Sequence, residues 1–139
     1  NSDPSILRNY ELLNSIKGIG TINAMNTIIH TNNFQAFETA RQYACYLGIA
    51  PFEHSSGTSI KGKTRVYPTG AKLLKADLSQ AANSAIVWDK EMKEYYERKR
   101  KEGKAYGVVL NAVKFKLVGR MFAVVKRGTP FVELMTYKK

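Results

Sequence analysis

Residues 106–127 read YGVVLNAVKFKLVGRMFAVVKR, and within them Leu110, Val113, Leu117, Met121 and Val124 recur every three or four positions. A helix returns a side chain to the same face at that spacing, whereas a strand changes face at each residue. The stretch therefore predicts a long helix with those five side chains in the core. No acid falls between Glu102 and Glu133. Lys114, Lys116, Arg120, Lys126 and Arg127 thus read as an uncompensated basic set, and Lys116 and Arg120, one turn apart, can face the same run of phosphates.

The helical period continues upstream. Residues 89–103, DKEMKEYYERKRKEG, alternate in charge and stop at Gly103, the pattern of a solvated surface helix. From Gly70 onward Leu74, Leu78, Ala81, Ala82 and Ala85 share one face, with Lys72 and Lys75 away from it. Near the start, Asp3 and Pro4 make an N-cap and first-turn pair, and Ile6, Leu7, Tyr10, Leu13 and Ile16 follow at helical spacing before Gly18. Thr21 is placed to cap a second helix running to about His30, with Asn32 and Asn33 as the turn after it. A third helix is expected from around Phe37 to Leu47, ended by Gly48, with Cys45 as a small buried residue on its apolar side. Residues 50–69 hold too many Gly, Ser, Pro and Lys for a helix interior, and the last ten residues read as a loose tail.

Composition narrows the function classes. With 139 residues, 44% of them hydrophobic, the chain is long enough for one domain with a real core and is not a disordered basic tail. Its 22 Lys and Arg against 11 Asp and Glu leave a net charge of +11, so nucleic acid is the default partner. No apolar run nears the roughly 20 residues that span a bilayer, and no membrane role is expected. Cys45 is the only cysteine, which excludes an internal disulfide and points to a reducing compartment. His30, His54 and that cysteine lack zinc spacing, and the acids, mostly spread over residues 91–102, form no self-contained metal site. No cofactor is expected in this stretch of chain. Its start, Asn-Ser-Asp, has neither an initiator methionine nor an apolar signal core and reads as the edge of a piece cut from a longer protein.

Two constellations carry chemistry. Ser15-Ile16-Lys17-Gly18-Ile19-Gly20 lies between the first two predicted helices. Glycines at 18 and 20 let the backbone turn tightly and bring bare amides outward beside the positive end of the next helix, a cradle for phosphate. The arrangement resembles the helix-hairpin-helix motif, which grips nucleic-acid backbone without reading bases. Its plain alternative is a tight turn that binds nothing. The second constellation lies in residues 48–78, GIAPFEHSSGTSIKGKTRVYPTGAKLLKADL. Ser55 and Ser56 precede flexible Gly57, and Lys61, Lys63, Arg65, Lys72 and Lys75 surround them with no carboxylate between Glu53 and Asp77. A serine hydroxyl can attack a phosphodiester if positive charge stabilises the nonbridging oxygens and its proton is removed. His54 is adjacent, although a lone loop histidine is more often simply solvated. From the residues alone this is a phosphate-contacting loop ahead of a nucleophile site.

The ordered set of Ser-Ile-Lys-Gly-Ile-Gly, Phe37, residues 42–51 (QYACYLGIAP), Ser55-Ser56-Gly57 and Gly70 with Leu74-Lys75 and Leu78 resembles one family. It is similar to the C-terminal transposase domain of the DEDD insertion-sequence transposases, the bridge-RNA-guided recombinases, from roughly Leu12 to Gly128. The resemblance implies a catalytic serine at Ser56, with Ser55 as the fallback because the doublet leaves the register open by one. It implies an N-terminal resolvase-like domain, absent from this chain, with four acidic ligands for divalent metal, expected to be Mg. It further implies DNA and a guide RNA as partners, a homo-oligomer when full length, and a bacterial cytoplasmic, nucleoid-associated setting. The chain departs from the family at Pro68, where a basic residue is common, at Ala71, where Asn is common, and at Lys75, where Arg is usual.

The expected fold is mostly α, a compact helical domain with a helix-hairpin-helix-like element over about 4–31, a serine loop over about 50–69 and a helical part over about 70–128. The expected phosphate contacts are Lys17, Gly18, Gly20, Lys61, Lys63, Arg65, Lys72, Lys75, Lys116 and Arg120. The expected function is DNA binding and strand cleavage and rejoining as part of a full-length transposase, the fragment alone being inactive. The alternatives are a helix-hairpin-helix module of a repair or recombination protein that anchors DNA without chemistry, and a ribosomal-type RNA-binding protein.

Overall fold

The computed structural model describes residues 3–49 and 69–132. Among these residues the chain forms α1 (Pro4–Asn14), α2 (Thr21–His30), α3 (Ala40–Leu47), α4 (Thr69–Trp88), α5 (Lys90–Lys101) and α6 (Tyr106–Arg127), and no strand. The mostly helical fold expected from the hydrophobic period is the one observed.

Helix α6 is the centre of the packing, touching α1, α3, α4 and α5, while α2 packs on α1 and α4. Leu110, Val113, Leu117, Met121 and Val124 are all buried, as their spacing requires, and Val109 and Val118 join them. Fully burying such a side chain is worth about 1.5–3 kcal/mol over leaving it in water. The helix stops where Gly128 takes a left-handed φ of 77° and its N–H reaches the Val124 carbonyl at 2.8 Å.

Helix α1 begins as expected, with Pro4 in its first turn and the Asp3 carboxylate accepting from the Ser5 amide at 2.9 Å. Of its expected face, Leu13 and Ile16 are buried and Ile6 and Tyr10 pack against the core, while Leu7 departs. Asn9, Leu12 and Leu13 point inward, and Leu7 is 57% exposed. Helix α2 starts one residue differently from expectation, with Gly20 as N-cap and Thr21 already helical, its hydroxyl hydrogen-bonded to the Tyr10 hydroxyl at 3.1 Å. The turn after α2 is left-handed through Asn32, Asn33 and Phe34, with φ of 52°, 58° and 68°. Buried Thr31 holds it, donating to the Thr27 carbonyl at 2.7 Å and accepting from the Phe34 amide at 2.8 Å. Asn33 ties the turn to α1 by donating to the Ser5 hydroxyl and accepting from the Asn9 amide, both at 2.9 Å.

Helix α3 starts at Ala40 rather than near Phe37. Thr39 caps it, accepting from the Gln42 amide at 3.1 Å, and the Phe37 ring is drawn into an aromatic cluster with Tyr43 and Tyr46. The expectation of a buried Cys45 is corrected: the thiol side of α3 faces outward and Cys45 is exposed. In α4 the five expected side chains, Leu74, Leu78, Ala81, Ala82 and Ala85, are all buried. Buried Asp89 then ends α4 and caps α5, its carboxylate accepting from the Met92 amide at 3.1 Å. Most of α5 is exposed, as its charge pattern suggests, and Met92 is its buried anchor. Of the last ten residues, read as a loose tail, 133–139 lie outside the described residues, and the stretch before them is tied down. Phe131 packs on the core, and its amide donates to the Ser15 hydroxyl at 2.8 Å.

One close approach fixes the α1–α2 hairpin. Gly18, at φ 97°, lies against α4 so tightly that a Cβ there would come 2.7 Å from the Ala81 carbonyl oxygen and 3.3 Å from the Ala85 Cβ. Gly18→Ala is therefore expected to lower stability by about 2–4 kcal/mol, combining left-handed strain with a backbone clash. Urea unfolding followed by circular dichroism measures it, and an unchanged midpoint contradicts this packing.

Candidate nucleic-acid interface

The hairpin turn is built from alternating inward and outward residues. Ile16 and Ile19 are buried and joined by an amide-to-carbonyl bond of 3.0 Å, so the residues between them must bulge. Lys17 is exposed at the crest. The two glycines divide the work that the sequence assigns to both. Gly18 faces protein and supplies the close contact with α4, whereas Gly20 is exposed, with open space where its Cβ would be. No side chain caps α2, so its first-turn amides, at the positive end of the helix dipole, have no local side-chain acceptor. Asn23 and Asn26 hold α2 on α4 by donating to the Asp77 carbonyl oxygen and carboxylate at 3.1 and 2.9 Å.

A second set of cations is carried by α3, α4 and α6. Lys75 is half-buried on α4, and the α4 backbone sets Lys72 almost one turn before it. Lys114 on α6 is only 6% exposed, so the expectation that it joins an open basic face is corrected. Burial, and then the Lys75 ammonium beside it, hold its pKa below the ordinary lysine value. Arg41 of α3 stacks over the Phe115 ring at 5.9 Å.

The third group lies between α5 and α6. Lys116 is exposed and sits 4.5 Å from the centre of the Tyr95 ring, which Arg98 and Lys99 approach at 5.4 and 5.8 Å. The sequence reading passed over Arg98 and Lys99, taking the whole stretch as solvated. Their signal was the switch from acids in the first half of α5 to a basic run at residues 98–101. Arg120, by contrast, is compensated. Its guanidinium donates to Asp89 and Glu91, each at 2.7 Å, and stacks on Phe131 at 4.3 Å. The acids missing from its own helix come from the start of α5. The cleft of about 290 Å³ beside it is lined by Lys116, Arg120, Arg127, Phe131 and also Glu91, so its charge is mixed.

Ser55, Ser56, Lys61, Lys63 and Arg65 lie outside the described residues, as does the Lys72 side chain. The flanks of that segment are set: Ile49 after α3 and Leu74 in α4 are both buried in the common core. Among the described residues no group of His, Cys, Asp and Glu fits a metal ion, and no helix is long and apolar enough to cross a membrane.

The model of the IS116/IS110/IS902 transposase family matches residues 10–97, from α1 through most of α5. The chain belongs to that family. This transposase-family chain is 30% identical over 118 residues to an uncharacterized 43.6 kDa protein of insertion element IS110 from Streptomyces coelicolor, covering 85% of the chain and 29% of that protein. It is 26% identical over 133 residues to the pilin gene-inverting proteins of Moraxella bovis and Moraxella lacunata, covering 94% of the chain and 41% of each. The chain thus spans less than half the length of these curated relatives.

The ion pair at Arg120 fixes α5 along α6. Arg120→Met leaves the buried Asp89 carboxylate without its partner and is expected to lower stability by about 2–4 kcal/mol, with Arg120→Lys giving only partial recovery because one ammonium cannot span both acids. Thermal unfolding of the two variants tests this; equal stability of Arg120→Met and wild type refutes the clamp.

Proposed function

We propose that this chain is the helical DNA-binding part of an insertion-sequence transposase and carries the serine that joins transiently to DNA. The observation that supports it best is the family match over residues 10–97, which takes in the hairpin, the open start of α2 and the segment bearing Ser56. The hairpin acts as a helix-hairpin-helix grip. Phosphate oxygens sit at the uncapped amides of α2, beside Lys17 and Gly20, while Gly18 holds the turn on α4. Lys75 and Lys116 extend the backbone contacts, and Lys72 joins Lys75 from the preceding turn. Arg120 supports this surface by positioning α5.

In the chemical step the Ser56 hydroxyl attacks a DNA phosphorus, with Ser55 as the fallback. One serine-oxygen–phosphorus bond forms and one bond to a strand oxygen breaks. The serine proton ends on the released strand hydroxyl, and reversal with another strand end rejoins the DNA. Lys61, Lys63 and Arg65 offset the charge on the nonbridging oxygens. By the family resemblance, metal ligands come from a resolvase-like part of a longer protein. A guide RNA and a second protomer complete the partners of this reading.

Ser56→Ala in the full-length protein is expected to abolish strand exchange while duplex binding and its salt slope stay within about twofold of wild type. Strand exchange at wild-type rate in both Ser56→Ala and Ser55→Ala removes the serine chemistry. The anchoring reading would then remain.

A further inference from the structure

Lys114 is the least expected side chain in the core. It is 6% exposed, and its helical neighbours Val113, Leu117 and Val118 are wholly buried. The burial covers its stem, while the ammonium tip still reaches solvent. Here the carboxylates that form ion pairs among the described residues, Asp89, Glu91, Glu94 and Glu102, pair with Lys90, Lys99 and Arg120. No hydrogen bond ties the Lys114 ammonium to a described residue. The charged group that acts on it is another cation, Lys75 of α4. Two ammonium groups that act on each other across the packed helices α4 and α6, one of them partly desolvated, form an arrangement that a bound oxyanion relieves.

We propose that Lys114 and Lys75 form a seat for one phosphate group between α4 and α6, and that the group belongs to a nucleic-acid backbone. The seat itself stands on the burial and pairing of these lysines; its assignment to nucleic acid rests on the DNA reading above. Lys114 is the floor of the seat and Lys75 its rim. A phosphate held there is partly desolvated, so its contacts resist salt better than those of exposed Lys116.

The test compares thermal unfolding in sodium phosphate and sodium chloride at equal ionic strength, together with titration of a fluorescent duplex. Phosphate is expected to raise the unfolding temperature of the wild-type chain above its value in chloride. Lys114→Met, similar in length and uncharged, is expected to lose that rise and to bind duplex about tenfold more weakly. Lys75→Met, at a half-buried position, is expected to reduce both effects, which keeps the test decisive if the core variant misfolds. A wild-type chain indifferent to phosphate, or variants that respond as wild type does, overturns the seat. Loss of the phosphate response with unchanged duplex affinity overturns the assignment to nucleic acid and leaves a site for free phosphate. A wild-type chain that responds to phosphate but binds no duplex supports the seat and refutes the DNA reading instead.

Discussion

The approach of Gly18 to α4 is the constraint on which the rest of this structure depends. The turn between α1 and α2 rests on the Ala81 carbonyl and the Ala85 methyl, where a side chain has no room. Small residues on α4 and a left-handed glycine in the turn are two halves of one fit. Because that contact fixes the turn against α4, and α4 packs on α6, the open start of α2 is tied to the central packing. The proposed backbone grip depends on this placement, since amides that wander cannot hold a phosphate at fixed geometry.

Charge is sorted in a way that the net value of +11 conceals. Arg120 is spent on structure, tying two acids of α5 to the central helix. Lys116 remains at the surface beside an aromatic ring, and Lys114 is withdrawn into the core next to Lys75. Three basic residues within two turns of one helix thus do three different things. The difference comes from which neighbour each faces, α3 and α4 on one side and α5 on the other.

Local signals made most of the fold legible. Asp3 with Pro4, Gly48, Gly103 and Gly128 mark helix ends because capping and left-handed exits depend on adjacent residues. The core face of α6 is visible because one period runs through it unbroken. What sequence hid was set by distant partners. The Arg120 pairs reach 29 and 31 residues back, the Phe37 ring leaves its expected helix for an aromatic cluster, and the outward turn of Cys45 follows from how α3 lies on α6. Of the candidate site, the turn between α1 and α2 and its glycines were readable, though not that the two glycines face opposite ways. The enclosure of Lys114 was not readable, since a lysine in a helix gives no sign of which face is covered.

The central claim is that the hairpin, seated by Gly18, presents the uncapped start of α2 to nucleic-acid backbone. Hydrogen exchange with and without duplex DNA tests it most directly. The account predicts that DNA slows exchange in peptides covering residues 17–24, with a smaller effect on residues 114–120. Unchanged exchange over residues 17–24 when the chain is saturated with DNA contradicts it.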